Sequence, residues 1–292
     1  MASSRVESLT GPAVPGPRAR GGGDPIGIVL WLGRSLVRHW DLLWQMVATD
    51  LRGRYVGSSL GLFWSVIHPL IMIVIYTLVF SRVIGARLPG TTDAYGYGLF
   101  LCSALLPWSG FLEVVQRSTT IFVDNANLVR KVAFPKVVLY GYVLVSAAVN
   151  VALAIGVFIA VMLVIGHPLQ PTLLLWLPFV ALQLVFALGV GMVLSVLHVF
   201  LRDTAQLVAV CLNVLFWLTP IIYVETILPE WLRRLEPFNP LYLFAKTNHE
   251  LVMDGVLPGV LRTGGLVLLT LLTLAIGTAV YRRFRPDILD EL

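Results

Sequence analysis

Charge is what this chain has least of. Asp, Glu, Lys and Arg make up 13% of its 292 residues, about half the share found in soluble domains, and the mean hydropathy is +0.86. A globule with a wetted surface is excluded, and the chain reads as an integral membrane protein. Cysteine is equally sparse. Cys102 and Cys211 lie far apart inside apolar runs, which excludes a disulfide or zinc framework and leaves both as small apolar fillers. No G-x-x-x-x-G-K-[ST] phosphate loop occurs, so nothing here hydrolyses a nucleotide by that route, and energy for uphill transport must come from another chain. Residues 1–24 lack the apolar core of a secretory signal and are rich in Gly, Pro, Ser and Arg, so they read as a disordered cytoplasmic tail.

Long apolar runs are what the chain does have. Six of them approach the roughly 20 residues that a helix needs to cross a hydrocarbon core: Leu62–Ile84, Tyr97–Val115, Val137–Ile165, Leu173–Phe200, Leu207–Tyr223 and Gly264–Tyr281. They must be helices, because open strands leave their backbone unsatisfied in lipid. The expected fold is therefore an all-α membrane protein with a six-span domain over residues 56–292. Basic residues set its orientation. With a cytoplasmic N-terminus, Arg117, Arg130, Lys131, Lys136, Arg202, Arg282, Arg283 and Arg285 all fall inside. Both termini are then cytoplasmic, and the net charge of +5 speaks of topology and lipid contact, not nucleic acid.

Between tail and spans, residues 25–55 show helical periodicity behind the start signal Asp24-Pro25. Leu36, Trp40, Leu43, Trp44, Val47 and Leu51 share one face, while Arg34, Arg38, Asp41, Gln45 and Arg52 share the other. This is the pattern of an amphipathic helix lying in the membrane surface; packing on the protein's own loops is the alternative. GSSLG, residues 57–61, matches the G-x-S-x-G pattern of serine hydrolases, with Asp203 and His249 following in chain order. A nucleophile elbow needs a strand before the serine, and none is expected here. Gly57 and Gly61 instead suit a bend from lying on the membrane to crossing it, with Ser58 and Ser59 capping the first span beside Leu60. Ionisable side chains, which ion-coupled carriers need, are almost missing from the spans, where His68 and His198 stand out.

Three separated segments carry a family resemblance. The first holds Arg54, Tyr55, Leu60, Gly61, Trp64 and Pro69; the second, DNANLVRKVAFPK, holds Asn125, Asn127, Leu128, Lys131, Phe134 and Pro135; the third holds Arg202, Asp203, Thr219, Pro220, Ile221, Tyr223, Pro229, Asn239 and Pro240. Together they resemble the transmembrane subunits of ABC-2 type exporters, in particular those that move O-antigen, teichoic acid and related polysaccharides. The resemblance implies a homodimer in the bacterial inner membrane, joined to an ATPase subunit that carries ATP and Mg, with no cofactor or metal on this chain.

It also implies roles. Asn125, Asn127, Leu128, Arg130, Lys131, Phe134 and Pro135 form a cytoplasmic coupling helix against the ATPase, and the proline-broken stretch after Tyr223 forms re-entrant gate helices outside. Trp64, Tyr76, Trp108, Phe111, Phe216, Trp217, Tyr223 and Trp231 are aromatics fit to line a sugar-sized path. Arg52 and Arg54, with Gly57–Gly61, stand where a lipid diphosphate would enter, since guanidiniums grip phosphate oxygens in pairs; snorkelling of both arginines to membrane phosphates is the alternative. An exporter of another lipid or drug, an intramembrane hydrolase using Ser59, and a channel-like protein without energy coupling are the competing readings.

Overall fold

The structure, a computed structural model, describes residues 25–54, 63–83, 85, 95–131, 135–225 and 228–291. All regular structure among them is helical. Four helices are long and apolar enough to cross a membrane: α4 (Gly96–Asp124), α6 (Val137–Val164), α7 (Leu173–Phe200) and α11 (Val260–Glu291). At about 1.5 Å per residue each exceeds the roughly 30 Å of a hydrocarbon core. Two further apolar helices are shorter. α3 (Trp64–Leu78) runs straight on into a π-helical turn, Val79–Val83. α8 (Thr204–Leu218) stops before the sequence pattern did, because Pro220 forces Thr219 into an extended conformation.

The helix expected over residues 26–55 is two helices, α1 (Pro25–Arg38) and α2 (Trp40–Gly53), broken at His39, whose Nδ1 lies 2.9 Å from the Ser35 carbonyl. The apolar face divides accordingly. Leu43 and Val47 are buried against Val138 at the start of α6, with Leu36 and Leu51 beside them. Trp40 and Trp44 stack with ring centres 6.3 Å apart and stay about half exposed. The polar face of Arg34, Arg38, Asp41, Gln45 and Arg52 is open.

α7 is the centre of the bundle, packed between α4 and α11. Small residues bring the backbones together. A Cβ on Gly189 would stand 2.6 Å from the Thr273 carbonyl carbon, and one on Gly277 would stand 2.5 Å from the Gly189 oxygen, so the crossing tolerates no side chain at either position. Large side chains fill the rest: Trp176, Tyr140, Tyr281, Phe122 and Phe158 are essentially sealed. Outward, the pattern inverts, with Leu174, Leu261 and Leu268 widely exposed, as lipid-facing positions should be. Cys102 is buried as expected, but Cys211 is exposed on α8.

After α8 the chain forms α9 (Glu230–Arg233), a 3-10 turn (Glu236–Phe238), α10 (Pro240–His249) and a π turn (Glu250–Asp254). α10 starts cleanly because Asn239 caps the Leu241 amide at 3.0 Å and Pro240 occupies the first helical position. It is a buried helix. Asn248 accepts from Trp176 Nε1 at 3.2 Å and donates to Gln183 at 3.2 Å, which ties α10 to α7.

The α7–α11 crossing is testable. Gly189→Ala should cost about 1–3 kcal/mol by overpacking, seen as a lower thermal unfolding midpoint in mild detergent, whereas Gly156→Ala, with nothing within 4 Å of the added carbon, should leave it in place. An unchanged midpoint for the first variant would contradict the crossing.

Candidate functional site

A cleft of about 700 Å³ opens beside α4. α4 forms its floor from Cys102 to Gln116, about 21 Å of helix. Trp64, His68, Met72 and Tyr76 of α3 make one wall, Ala209, Leu212, Asn213 and Phe216 of α8 the other, and Asn150, Val151 and Ala154 of α6 close the back. The lining is mostly apolar with a few polar groups, the composition of a binding cleft and not of a water pore.

Of the eight aromatics expected along a path, Trp64, Tyr76, Trp108 and Phe216 line this cleft. Trp108 and Phe216 face each other at 5.6 Å. Phe111 is buried behind the lining, 5.5 Å from Trp108, and passes the stack on to Phe186 and then Phe244 of α10. The remaining three stand elsewhere. Trp217 points outward from α8, Tyr223 donates to the Trp217 carbonyl at 2.8 Å, and Trp231 is exposed on α9. Near them Glu236 is buried, and desolvation first and the neighbouring Glu225 next push its carboxyl up, with Lys246 and Arg233 opposing.

One end of the cleft is closed by charge. Arg54, at the end of α2, bridges Asp50 at 3.1 Å and Glu113. Arg117, one turn beyond Glu113 on α4, reaches Asp50 at 2.5 Å and Glu113 at 3.0 Å. The result is a closed ring of two carboxylates and two guanidiniums, extended by Asn150, which donates to Glu113 at 3.3 Å, and by the Tyr142 ring 5.5 Å from Arg117. Burial pushes the Asp50 carboxyl up, but the Arg117 guanidinium and then Arg54 pull harder and hold it below its ordinary 3.8. Arg54 is thus engaged by carboxylates, whereas Arg52 on the same helix is exposed. Tyr55 and Gly57, Ser58, Ser59, Leu60 and Gly61 lie outside the described residues.

Sequence reasoning missed Asp50, Glu113, Arg117 and Asn150. Glu113 sits inside the second apolar run, contrary to the expectation that ionisable groups there were limited to histidines. The signal was present: Asp50/Arg54 and Glu113/Arg117 are both four apart, the helical spacing of an ion pair. That the two pairs face each other needed the fold.

At the same end, α4 leads through Asn125, whose side chain donates to Ile121 O at 2.8 Å, into α5 (Ala126–Lys131). Asn127, Leu128 and Arg130 are exposed there, while Val129 is buried and anchors the turn. Pro135 precedes α6; Phe134 lies outside the described residues, and Lys131 closes the helix.

Geometry separates the Asp203 and His249 that the hydrolase pattern would need. His249 Nε2 lies 3.2 Å from the Pro220 carbonyl, beyond the far end of α8, and its ring stacks on Phe100 at 3.7 Å. Asp203 stands just before the near end of α8, about 22 Å away along a helix of 15 residues. The two cannot serve one serine.

Fold and cleft therefore define a helical membrane protein with a lateral binding cleft and a charged ring at its end. Within that class the chain belongs to the ABC-2 type transporter family, whose sequence profile matches residues 41–247. It is 32% identical over 221 residues to the O-antigen export system permease protein RfbA of Klebsiella pneumoniae, across 75% of this chain and 82% of the relative. It is 26% identical over 263 residues to the protein of the same name from Myxococcus xanthus, across 89% and 99%. The polysialic acid transport protein KpsM of Escherichia coli is 22% identical over 237 residues, across 80% and 89%.

The charged ring predicts a pH dependence. A carboxyl held low in the folded state adds stability that is complete above its unfolded value and is lost as pH falls through the folded one. The midpoint of unfolding should fall on acidification below pH about 4, and Asp50→Asn should be less stable at neutral pH and flatter in that window. Identical acid profiles for the variant and the parent chain would show that the ring contributes nothing.

Proposed function

We propose that this chain is the transmembrane subunit of an ABC exporter that moves a lipid-linked polysaccharide across the bacterial cytoplasmic membrane. The observation that carries the reading is the conjunction of family membership with an aromatic-lined cleft that ends in a ring of two arginines and two carboxylates. Aromatic faces suit the apolar faces of sugar rings, and O-antigen and polysialic acid are what the relatives' names specify.

α3 with its π-helical extension and α8 with the turn after it complete six spans, and both termini lie in the cytoplasm. Their outer faces are broadly exposed and apolar: Leu70, Ile71 and Val74 on α3, Leu207, Val210 and Val214 on α8. Two copies pair symmetrically, because six spans with one side-opening cleft are too few to enclose a polymer path. The α1–α2 segment lies at the headgroup level with Trp40 and Trp44 outward. ATP and Mg are held by a partner ATPase. α5 docks on it through Asn127, Leu128, Arg130 and Lys131, with Phe134 as the apolar plug, and rigid-body rotation there is transmitted along α4 to the cleft. α9 and α10 belong to the outer gate.

Coupling is tested in the reconstituted complex. Arg130→Glu with Lys131→Glu, or Phe134→Ala, should weaken docking by about 2–4 kcal/mol and cut substrate-stimulated ATP hydrolysis and export while membrane insertion stays normal. Export at the parent rate in these variants would remove the coupling assignment.

The place where substrate enters is tested by a charge-conserving change. Arg54→Lys keeps the charge but loses the planar fork, so lipid-diphosphate-stimulated ATP hydrolysis should drop markedly, with a smaller drop for Arg52→Lys. Normal export by both variants would mean that the diphosphate is read elsewhere and that residues 57–61 are only a bend between surface and span.

A further inference from the structure

At the end of the bundle that carries α5, three helix termini bring cations together. Tyr140 of α6 meets Tyr281 of α11 edge to face at 5.7 Å, and Phe122 of α4 completes the trio at 5.7 and 6.1 Å. Lys136 stands four residues before Tyr140 and Arg285 four residues after Tyr281, and the two helices run in opposite directions here. Both cations therefore sit one turn beyond the aromatic trio, on the same side of it. Arg202 follows the end of α7, whose Phe200 packs on Phe284 of α11 at 5.9 Å, while Arg283, two residues from both Tyr281 and Arg285, falls on the opposite face of α11. Arg282 is turned to the Trp31 ring of α1, 5.3 Å away.

Among the described residues nothing balances this charge: no carboxylate there lies within ion-pairing distance of Lys136, Arg202, Arg283 or Arg285. Asp203 and Asp287 are close in sequence but exposed and unpaired with them. Lys136 is only 7% exposed, and among the described residues its ammonium has no ion-pair partner. Lys136 also precedes α6, so the positive end of a 28-residue helix points at the same place. Burial first and Arg285 second push the Lys136 ammonium down from its ordinary value of 10.5. A like-charge arrangement of this kind, with one member sealed into the fold, costs stability unless an anion sits in it.

We infer that Lys136 and Arg285 form a binding site for the phosphate of an anionic phospholipid. The shared chemistry is a phosphate group, and the surroundings favour a lipid source over free phosphate. The cluster lies where apolar spans end, beside an aromatic of the interfacial type, Trp31. Phe200 and Phe284 are exposed at 43% and 38% and give an acyl chain an apolar surface next to the cations. This site is separate from the charged ring of Asp50, Arg54, Glu113 and Arg117, whose guanidiniums already have carboxylate partners.

The test uses the full chain, purified in mild detergent, equilibrated with phosphatidylglycerol or phosphatidylcholine and transferred to the gas phase for intact-mass measurement. One phosphatidylglycerol should stay bound per chain and phosphatidylcholine should not. Lys136→Gln and Arg285→Gln should each lower retention roughly fivefold, the effect of removing one cation near a lipid phosphate, while Lys136→Arg restores it and Arg234→Gln, at the other end of the bundle, leaves it unchanged. If Lys136→Gln does not fold, Arg285→Gln decides alone, because that side chain is exposed. Retention indifferent to these substitutions overturns the site. Inorganic phosphate in a phosphatidylcholine background that stabilises the chain as much as phosphatidylglycerol does would also overturn the lipid assignment and make free phosphate the ligand.

Discussion

Hydrocarbon will not hold an unpaired charge or an unsatisfied backbone group, and most of this structure follows from that refusal. It makes the chain helical, drives its arginines to helix ends, and turns leucine and valine outward along α6, α7 and α11. Where the fold does admit charge near apolar surface, it admits it as a neutral ring. Asp50, Arg54, Glu113 and Arg117 come from two helices, and either helix alone would carry one carboxylate and one guanidinium to the same place. The ring thereby fastens the surface segment to α4. A buried polar chain does the corresponding work at the other end, where Trp176, Gln183 and Asn248 fix α10 against α7.

The same constraint explains why the cleft is shaped as it is. α4 is held by α6 and α7 and barely touches lipid, so it is a rigid floor. α3 and α8 are thin walls. α8 buries only Thr204, Val208 and Leu212, a single stripe at helical spacing, and α3 buries Ile73 and Thr77. Elements with so little packing move at low cost, and in the proposed dimer these two walls are also the faces left for a second copy. A cleft with a fixed floor and lightly held walls suits a substrate that is long and repetitive, because it can pass along the floor without a closed site having to form around each unit. The stack from Trp108 through Phe111 and Phe186 to Phe244 joins that floor to α10, so displacement of either is felt by the other.

Much of the architecture was legible in the sequence because hydropathy and helix length are properties of single segments. Leu173–Phe200 is read to the residue, and Val137–Ile165 to within one. The break at His39 was not legible: no proline or glycine marks it, and it exists because α1 follows α11 while α2 follows α6. The early end of α8 was legible in principle, since Pro220 constrains Thr219. Site residues divide along the same line. Trp64, Tyr76, Trp108 and Phe216 line the cleft, but the sequence could not separate them from Trp217, Tyr223 and Trp231, which differ in the direction they face. Asp50 and Arg117 lie 67 residues apart in sequence, and their meeting is a product of tertiary packing alone.

The central claim is that the cleft between α3, α4 and α8 is the path of a lipid-linked glycan. It is met most directly by placing a photoreactive amino acid at single positions of the chain in its complex with the ATPase and trapping the complex during export. Met72, Leu105 and Asn213, which line the cleft, should crosslink to labelled glycan when ATP is present, and the lipid-facing Leu174 and Leu268 should not. Glycan adducts spread equally over both groups, or absent from the cleft positions during active export, would contradict the account.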